Sequence, residues 1–426
     1  MARRTLAEWL DYQSRIHPLS MDFTLDRIRT VLDRLGLLTP KPPVITVGGT
    51  NGKGSVTALL EAIVSAGGGR VGVYTSPHLE RYQERIRVAG AEVEEAWLLE
   101  AFEAIEAVRG EITLTYFEYA TAAALWCFAR DPLDLIVLEV GLGGRLDAVN
   151  VIDADASIVV SVSLDHCEYL GDTVEAIGFE KAGIFRAGRP AFFGSTAMPA
   201  SIEAHATHLG ARLERFGAEF TAVLADSGFE FRRGSTHLQG LPPPALQGAA
   251  QIGNAATVLA ALESLELLPA PTAIAAGLRG VRLTGRFEVR PGPVSWVFDV
   301  AHNPGAAAVL VDTLRAEPRA GRTILVAGML RDKDAVAVGR ELARLVAPGD
   351  LVCAVTLAGE RGRPADELAA LWGPLLAGEI SLATDVEAGC AFAAHHAVPG
   401  DRVVVFGSFH VVGPALHWHR LYCSTQ

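Results

Sequence analysis

Residues 41–69 read KPPVITVGGTNGKGSVTALLEAIVSAGGG, and this stretch constrains the chain more than any other. Prolines precede a β-branched run, glycines interrupt it, and an apolar helical pattern follows until further glycines close it. The spacing predicts one strand-loop-helix unit. Gly48, Gly49, Gly52 and Gly54 let the backbone turn with its N–H groups inward, and the helix points its positive end at the same place. Lys53 adds a point charge, so the loop reads as a phosphate site. It departs from the Walker A pattern, in which Ser or Thr follows the lysine at once: here Gly54 intervenes and the hydroxyl of Ser55 comes one place late.

Further apolar runs, RVGVYTSPHL, DLIVLEVGLGG, ASIVVSVSLDH and RPAFFG, alternate with helical stretches such as FEYATAAALWCFAR. That alternation predicts a mostly parallel sheet with helices on both faces. From about 213 to 240 the charged, glycine-containing segments predict antiparallel hairpins. LPPPALQGAAQIGNAATVLAALESL restores a loop and a helix. Downstream, VSWVFDVAHNP, TILVAGML, DLVCAV and DRVVVFGSFH alternate with helices again, as in a second, smaller α/β domain. The expected organisation is an N-terminal α/β domain over 1–285, a linker over 286–293 and a C-terminal domain over 294–426. The length of 426 residues fits two such cores.

The balance of 37 basic and 49 acidic residues, a net charge of -12, argues against a nucleic-acid partner and toward small molecules. No uncharged apolar run approaches membrane-spanning length, and the N-terminus reads as an amphipathic helix with Glu8, Asp11 and Arg15 rather than a signal peptide. The five cysteines are scattered, without metal or redox spacing. These features predict a cytoplasmic protein.

A nucleoside triphosphate brings magnesium, which wants hard oxygen ligands at neighbouring strand ends. Ser76 at the end of the second strand, Glu139 at the end of LIVLE and His166 at the end of VVSVSLDH are the candidates. Read alone, Glu139 is a solvent-facing or a cleft-facing carboxylate, His166 a core histidine or a ligand, and Lys181 a solvated helix-end lysine.

GTNGKGS, TSPHL with ERIRV, TYFEY, LEVGLGGRLDAVN, SLDH, EKAGIFR, GRFE, FDVAHNP, GMLRDKD and GSFH occur in this order over most of the chain. Together they resemble the folylpolyglutamate synthase/dihydrofolate synthase family, relatives of the Mur ligases. The resemblance implies a P-loop ATPase domain joined to a Rossmann-like domain. It implies ATP-driven joining of L-glutamate to dihydropteroate and to reduced folates through an acyl phosphate, with ADP and phosphate released. It places ATP against Thr50, Asn51, Gly52, Lys53, Gly54 and Ser55, and against Asn254, Arg286 and Asp299. Ser76, Glu139 and His166 become ligands of two Mg2+ ions, joined by Lys181, which the family carbamylates. A monovalent cation such as K+ belongs to the same picture. His302 falls near the phosphates and glutamate, and Lys53, Lys181 and His302 are the implied catalytic set. The pterin acid is placed against Thr115, Tyr116, Phe117 and Glu118 and against Leu146, Asp147 and Ala148, with Asp147 accepting from the amino-pyrimidine edge. Closure of the two domains would exclude water from the intermediate.

The resemblance also implies a monomer. One departure is Thr24, in HPLSMDFTLDRI, where relatives more usually carry glycine before the leucine. A GTPase would need an N-K-x-D motif, which does not occur. A silent nucleotide-binding regulator should have lost Glu139 and His166. A peptidoglycan Mur ligase would carry a substantial domain before the loop, and only some 47 residues precede Gly48. A monofunctional folylpolyglutamate synthase or another Mur-like amino-acid ligase is the remaining alternative.

Overall fold

The computed structural model describes residues 4–19, 22–225, 227–318 and 320–424. Two compact units emerge, one of residues 1–245 and 250–281, the other of residues 246–249 and 282–426.

The first unit is built on eight strands: β1 Val44–Gly48, β2 Val71–Tyr74, β3 Ile86–Val88, β4 Ala91–Glu92, β5 Leu135–Glu139, β6 Ala156–Val159, β7 Pro190–Phe193 and β8 Arg212–Arg215. Their order is β4-β3-β2-β5-β1-β6-β7-β8, parallel from β2 to β8, with β3 and β4 added antiparallel at one edge. β1 therefore lies in the middle, between β5 and β6. Every residue of β1 and β5 is buried, as expected of strands covered on both faces. The glycine loop thus leaves the sheet at its centre, where a parallel sheet offers its ligand crevice.

The helix after the loop, Lys53–Ala66, buries Val56, Leu59, Leu60 and Ile63. Each such side chain contributes about 1.5–3 kcal/mol when removed from water. Helix Pro271–Gly280 crosses it so closely that a Cβ on Gly277 would stand 2.6 Å from the Ile63 Cα. The loop is thereby fixed at both its strand and its helix end.

The hairpin region forms a separate antiparallel sheet of β9 Phe220–Ala225, β10 Gly228–Arg233 and β11 Thr236–Leu241, as its composition predicts. The N-terminal helix Leu6–Arg15 starts at a Thr5/Glu8 capping box. Of HPLSMDFTLDRI, Ser20 and Met21 lie outside the described residues. Among the described residues the non-glycine positions with positive φ are Ala89, His166, Glu266 and Phe287, so Thr24 needs no glycine-like conformation.

The second unit carries β12 Glu288–Arg290, β13 Ser295–Asp299, β14 Thr323–Ala327, β15 Leu351–Val355, β16 Glu379–Ala383 and β17 Arg402–Phe406, in the order β12-β13-β17-β14-β15-β16. All pairs are parallel except β12 with β13. β12 falls inside the stretch expected as a linker. Those residues are an edge strand of the second sheet, hidden from pattern reading by the glycine and prolines that follow it.

Candidate functional site

The loop's glycines divide their work. Gly49 and Gly52 have φ of 144° and 87°, a region L side chains avoid, while Gly48 belongs to β1 and Gly54 to the helix. Gly52 also admits no side chain for a second reason: a Cβ there would meet Val160 Cγ1 at 2.8 Å. As N-cap of helix Lys53–Ala66 it leaves that end without a side-chain cap. Lys53 folds back, its Nζ donating to the carbonyls of Gly49 at 3.0 Å and Thr50 at 3.4 Å.

The segment after β6 zips along the loop. Thr50 N donates to Ser161 O at 2.8 Å, Thr50 Oγ1 donates to Ser163 O at 3.1 Å, and Ser163 N donates back to Thr50 Oγ1 at 3.0 Å. Asn51 N donates to Ser161 Oγ at 3.1 Å, and that hydroxyl donates to Asn51 O at 2.9 Å. Ser161 is a residue that sequence reasoning missed, because a serine after a strand carries no distinguishing pattern. Asn254 lies near the loop too, its amide oxygen 3.7 Å from a Cβ built on Gly52. Asn254 Nδ2 donates to Gln251 Oε1 at 3.1 Å, and Gln251 Nε2 donates to Ser55 Oγ at 3.5 Å. The displaced hydroxyl of Ser55 is buried and faces this amide pair.

Glu139 is buried at the end of β5, in register with Val47, so its carboxylate stands beside the strand that feeds the loop. The strand-end placement of the other two candidates needs correction. β6 ends at Val159, seven residues before His166, which caps the short helix Cys167–Leu170 with φ of 52°. His166 is therefore on a loop, because SVSLD turns back on Thr50 instead of continuing the ladder. β2 likewise ends at Tyr74, two residues short of Ser76. The described residues contain no group of three His, Cys, Asp or Glu side chains that could hold a metal unaided.

Lys181 is 4 % exposed at the end of helix Val174–Ala182. Burial, then the charge of Lys53, push its amine down to about 7, while Asp165 and Asp147 oppose them. The glycine-rich turn after β5 packs on this helix end: a Cβ on Gly144 would stand 2.9 Å from Lys181 O. That turn also places Asp147, whose Oδ2 accepts from Leu142 N at 2.8 Å and Oδ1 from Val149 N at 3.1 Å. Burial raises Asp147 to about 6, although these N–H groups and Lys53 work in the other direction. Lys53, Lys181, Asp147 and Asp165 thus interact as one charged cluster. Asp165 was visible only as the neighbour of His166.

Thr115 and Glu118 form a capping box at the start of helix Tyr116–Phe128. Glu118 Oε2 accepts from Thr115 N at 2.8 Å, and the carboxylate pairs with Arg27. Phe117 lies against the turn of Asp147, its Cζ 2.7 Å from a Cβ built on Gly141 and its ring 5.8 Å from Tyr74. Leu146 is half-buried and Ala148 buried in the same turn. Sequence reasoning also missed Arg85. This buried guanidinium donates to His78 Nδ1 at 2.8 Å and lies 5.5 Å from the Tyr116 ring and 5.6 Å from the Tyr82 ring. No ion pair to Arg85 occurs among the described residues, and a buried guanidinium set among rings suits an anion.

In the second unit Asp299 ends β13. Its Oδ2 accepts from Phe287 N at 2.8 Å and its Oδ1 from Ala301 N at 2.7 Å. Burial raises this carboxyl, and the charges of Arg286 and His302 oppose the rise. Arg286 stands 5.3 Å over the Phe409 ring, and His302 Nδ1 bonds Val300 O at 2.8 Å. The three residues are therefore neighbours within that unit.

Residues 47–261 match the Mur ligase middle domain and residues 285–409 the Mur ligase glutamate ligase domain. The chain is 44 % identical over 411 residues to the dihydrofolate synthase/folylpolyglutamate synthase of Escherichia coli, covering 96 % of this chain and 94 % of that one. It is 39 % identical to the Haemophilus influenzae protein of the same description, covering 96 % and 97 %. Among solved structures, an Escherichia coli protein in complex with DHPP and ADP superposes with a TM-score of 0.93, at 42 % identity and 99 % coverage of both chains. A bifunctional folylpolyglutamate synthase/dihydrofolate synthase with Mn, AMPPNP and L-glutamate bound superposes at 0.89, with 43 % identity and 97 % and 98 % coverage.

Proposed function

The chain belongs to the dihydrofolate synthase/folylpolyglutamate synthase family of Mur ligases, and from that premise we propose how its own residues carry the reaction. It is an ATP-dependent ligase that joins L-glutamate to dihydropteroate and to reduced folates, and it uses a divalent metal ion. The observation that carries the residue reading is the convergence, around β1, of the loop, Lys53 and buried Glu139.

A carboxylate does not react with an amine near neutral pH, so the acceptor acid is first activated. Its oxygen attacks the γ-phosphorus in line, ADP leaves, and an acyl phosphate remains. The glutamate amine then attacks the acyl carbon and inorganic phosphate departs. Thr50 to Ser55 hold the triphosphate, with Lys53 balancing the charge of the transferring group. Asn254, Arg286 and Asp299 serve ATP, and His302 the glutamate side. Thr115, Tyr116, Phe117, Leu146, Asp147 and Ala148 flank the pterin acid. Glu118 acts through the helix start it holds, since its carboxylate is engaged by Thr115 and Arg27. Arg85 meets an anionic end of the acceptor.

Ser76, Glu139, His166 and carbamylated Lys181 would hold two Mg2+ ions. So sparse a protein set fits a cation that takes further ligands from substrate phosphates and water. When bound, the metal neutralises charge on the phosphates. A monovalent cation such as K+ is part of the same reading. We place the enzyme in the cytoplasm as a monomer; its five unpaired cysteines fit a reducing compartment.

The test supplies ATP, Mg2+ and glutamate with dihydropteroate and with tetrahydrofolate separately. Glutamylated product from both, with ADP release requiring acceptor and glutamate together, is expected. Product from one acceptor alone would overturn the dual specificity.

A further inference from the structure

Between helices Leu6–Arg15 and Asp26–Leu35 the described residues form no helix or strand, yet charges tie them down heavily. Arg27 Nη1 donates to Asp22 Oδ2 at 2.7 Å and Nη2 to the Asp22 carbonyl at 3.2 Å. The same guanidinium reaches the Glu118 carboxylate at 3.2 Å. His17 extends the chain of contacts, Nε2 to Asp22 Oδ2 at 3.2 Å and Nδ1 to Thr113 Oγ1 at 2.8 Å. An exposed ion pair would contribute little. Here the Glu118 and His17 side chains are 4 % and 7 % exposed and that of Arg27 19 %, so water competes weakly.

On its other side the segment carries Phe23, whose ring lies 5.7 Å from Tyr169. Tyr169 sits one turn beyond His166, its N–H donating to the His166 carbonyl at 2.9 Å. Residues 22–24 therefore span from the Thr115–Glu118 helix start to the His166 turn, and Arg27 bonds both Asp22 and Glu118.

We propose that Arg27 is a positioning residue for the acid acceptor: it holds residues 22–24 as one wall of the acceptor pocket. The inference rests on the reading above that Thr115–Phe117 and Asp147 flank that acceptor. A planar guanidinium can bond two carboxylates and a carbonyl from one fixed geometry, whereas an ammonium acts as a point charge. Replacing Arg27 frees Asp22 from Glu118, and the wall loses its register against the pterin side while the nucleotide loop is untouched.

The experiment measures steady-state constants and melting temperature for Arg27→Met, Arg27→Lys, Asp22→Asn and the double variant Arg27→Met/Asp22→Asn. Loss of charge-assisted hydrogen bonds should raise the KM for dihydropteroate about 10-fold or more in Arg27→Met. The KM for ATP should stay within about two-fold, Arg27→Lys should fall between, and the double variant should be no worse than the single. An unchanged acceptor KM, a loss that only follows melting, or additive effects in the double variant overturn the inference. Asp147→Asn separates the two levels. If it raises the acceptor KM and Arg27→Met does not, Arg27 alone is wrong; if neither does, the acceptor reading itself fails.

Discussion

Two serines two residues apart offer a sharp test of how the nucleotide loop is held. Ser161 and Ser163 both face the loop, but they bond it through different atoms. Ser161 uses its hydroxyl twice, accepting from Asn51 N and donating to Asn51 O. Ser163 uses only its main chain toward Thr50, and its buried Oγ makes no hydrogen bond among the described residues. A neutral hydrogen bond contributes about 0.5–1.5 kcal/mol net, so removing both Ser161 bonds costs about 1–3 kcal/mol. Ser161 is half-buried, water recovers part of that, and we expect the lower end. If the loop must be ordered to bind phosphate, Ser161→Ala weakens ADP binding about 5- to 10-fold. Ser163→Ala removes a buried hydroxyl that bonds nothing, so affinity should be unchanged and the melting temperature equal or higher. Titration calorimetry with ADP and thermal melts of both variants decide it. Equal weakening by the two substitutions, or an unaltered ADP affinity in Ser161→Ala, would refute the reasoning.

Three further outcomes follow from the same geometry. Gly52→Ala places a side chain at a φ of 87° and against Val160, so a loss of about 2 kcal/mol or more, read by chemical denaturation, should accompany loss of ADP binding; wild-type stability contradicts it. Asp147, raised to about 6 against about 3.9 unfolded, is ionised in the fold only above about 6. Between those values the folded state holds the extra proton, so this group costs stability as pH rises through the window. Acceptor binding through its carboxylate should strengthen over the same rise, and a KM profile without an inflection near 6, or one retained in Asp147→Asn, contradicts the role. In the second unit, buried Trp372 stacks 6.3 Å from Phe406 and its Nε1 donates to Ala335 O at 2.8 Å. Trp372→Ala should therefore destabilise that unit by about 3–5 kcal/mol, measurable by denaturant melts.

The sheet strands were legible where they are buried on both faces, since β1, β5, β14 and β17 are mostly apolar, β-branched runs buried throughout. The short edge strands were not: β12 and β16 carry exposed, charged residues, and their pairing comes from the neighbouring strand rather than from local pattern. The loop and Glu139 were legible because strand-loop-helix geometry is encoded locally. His166 was placed on the wrong element because VVSVSLDH keeps its β-branched pattern past the point where Ser161 and Ser163 leave the ladder to bond the loop. Arg85, Arg27 and Ser161 were illegible. Ser161 and Arg27 matter through partners 110 and 91 residues away, and Arg85 through the rings packed round it, which no local pattern records.

The charge balance around Lys181 carries the last prediction. Lys53 and Lys181 contribute two positive charges and ionised Asp147 and Asp165 two negative ones, in a cluster that buries an ammonium beside another ammonium. Burial and Lys53 hold the Lys181 amine near 7, so a large part of it is neutral at physiological pH, and a neutral amine adds to carbon dioxide. Carbamylation replaces a buried cation with an anion and shifts the cluster from neutral to a net charge of -2. A divalent cation restores the balance, and no local pattern in the sequence would ask for a lysine there. We expect a 13C-carbamate resonance from enzyme equilibrated with labelled bicarbonate, growing as pH rises through about 7 and absent in Lys181→Met, which should lose ligase activity yet melt at a similar or higher temperature because the buried charge is gone. An unmodified lysine together with full activity in Lys181→Met would overturn the reasoning, since the site would then require neither the amine nor a carboxylate made from it.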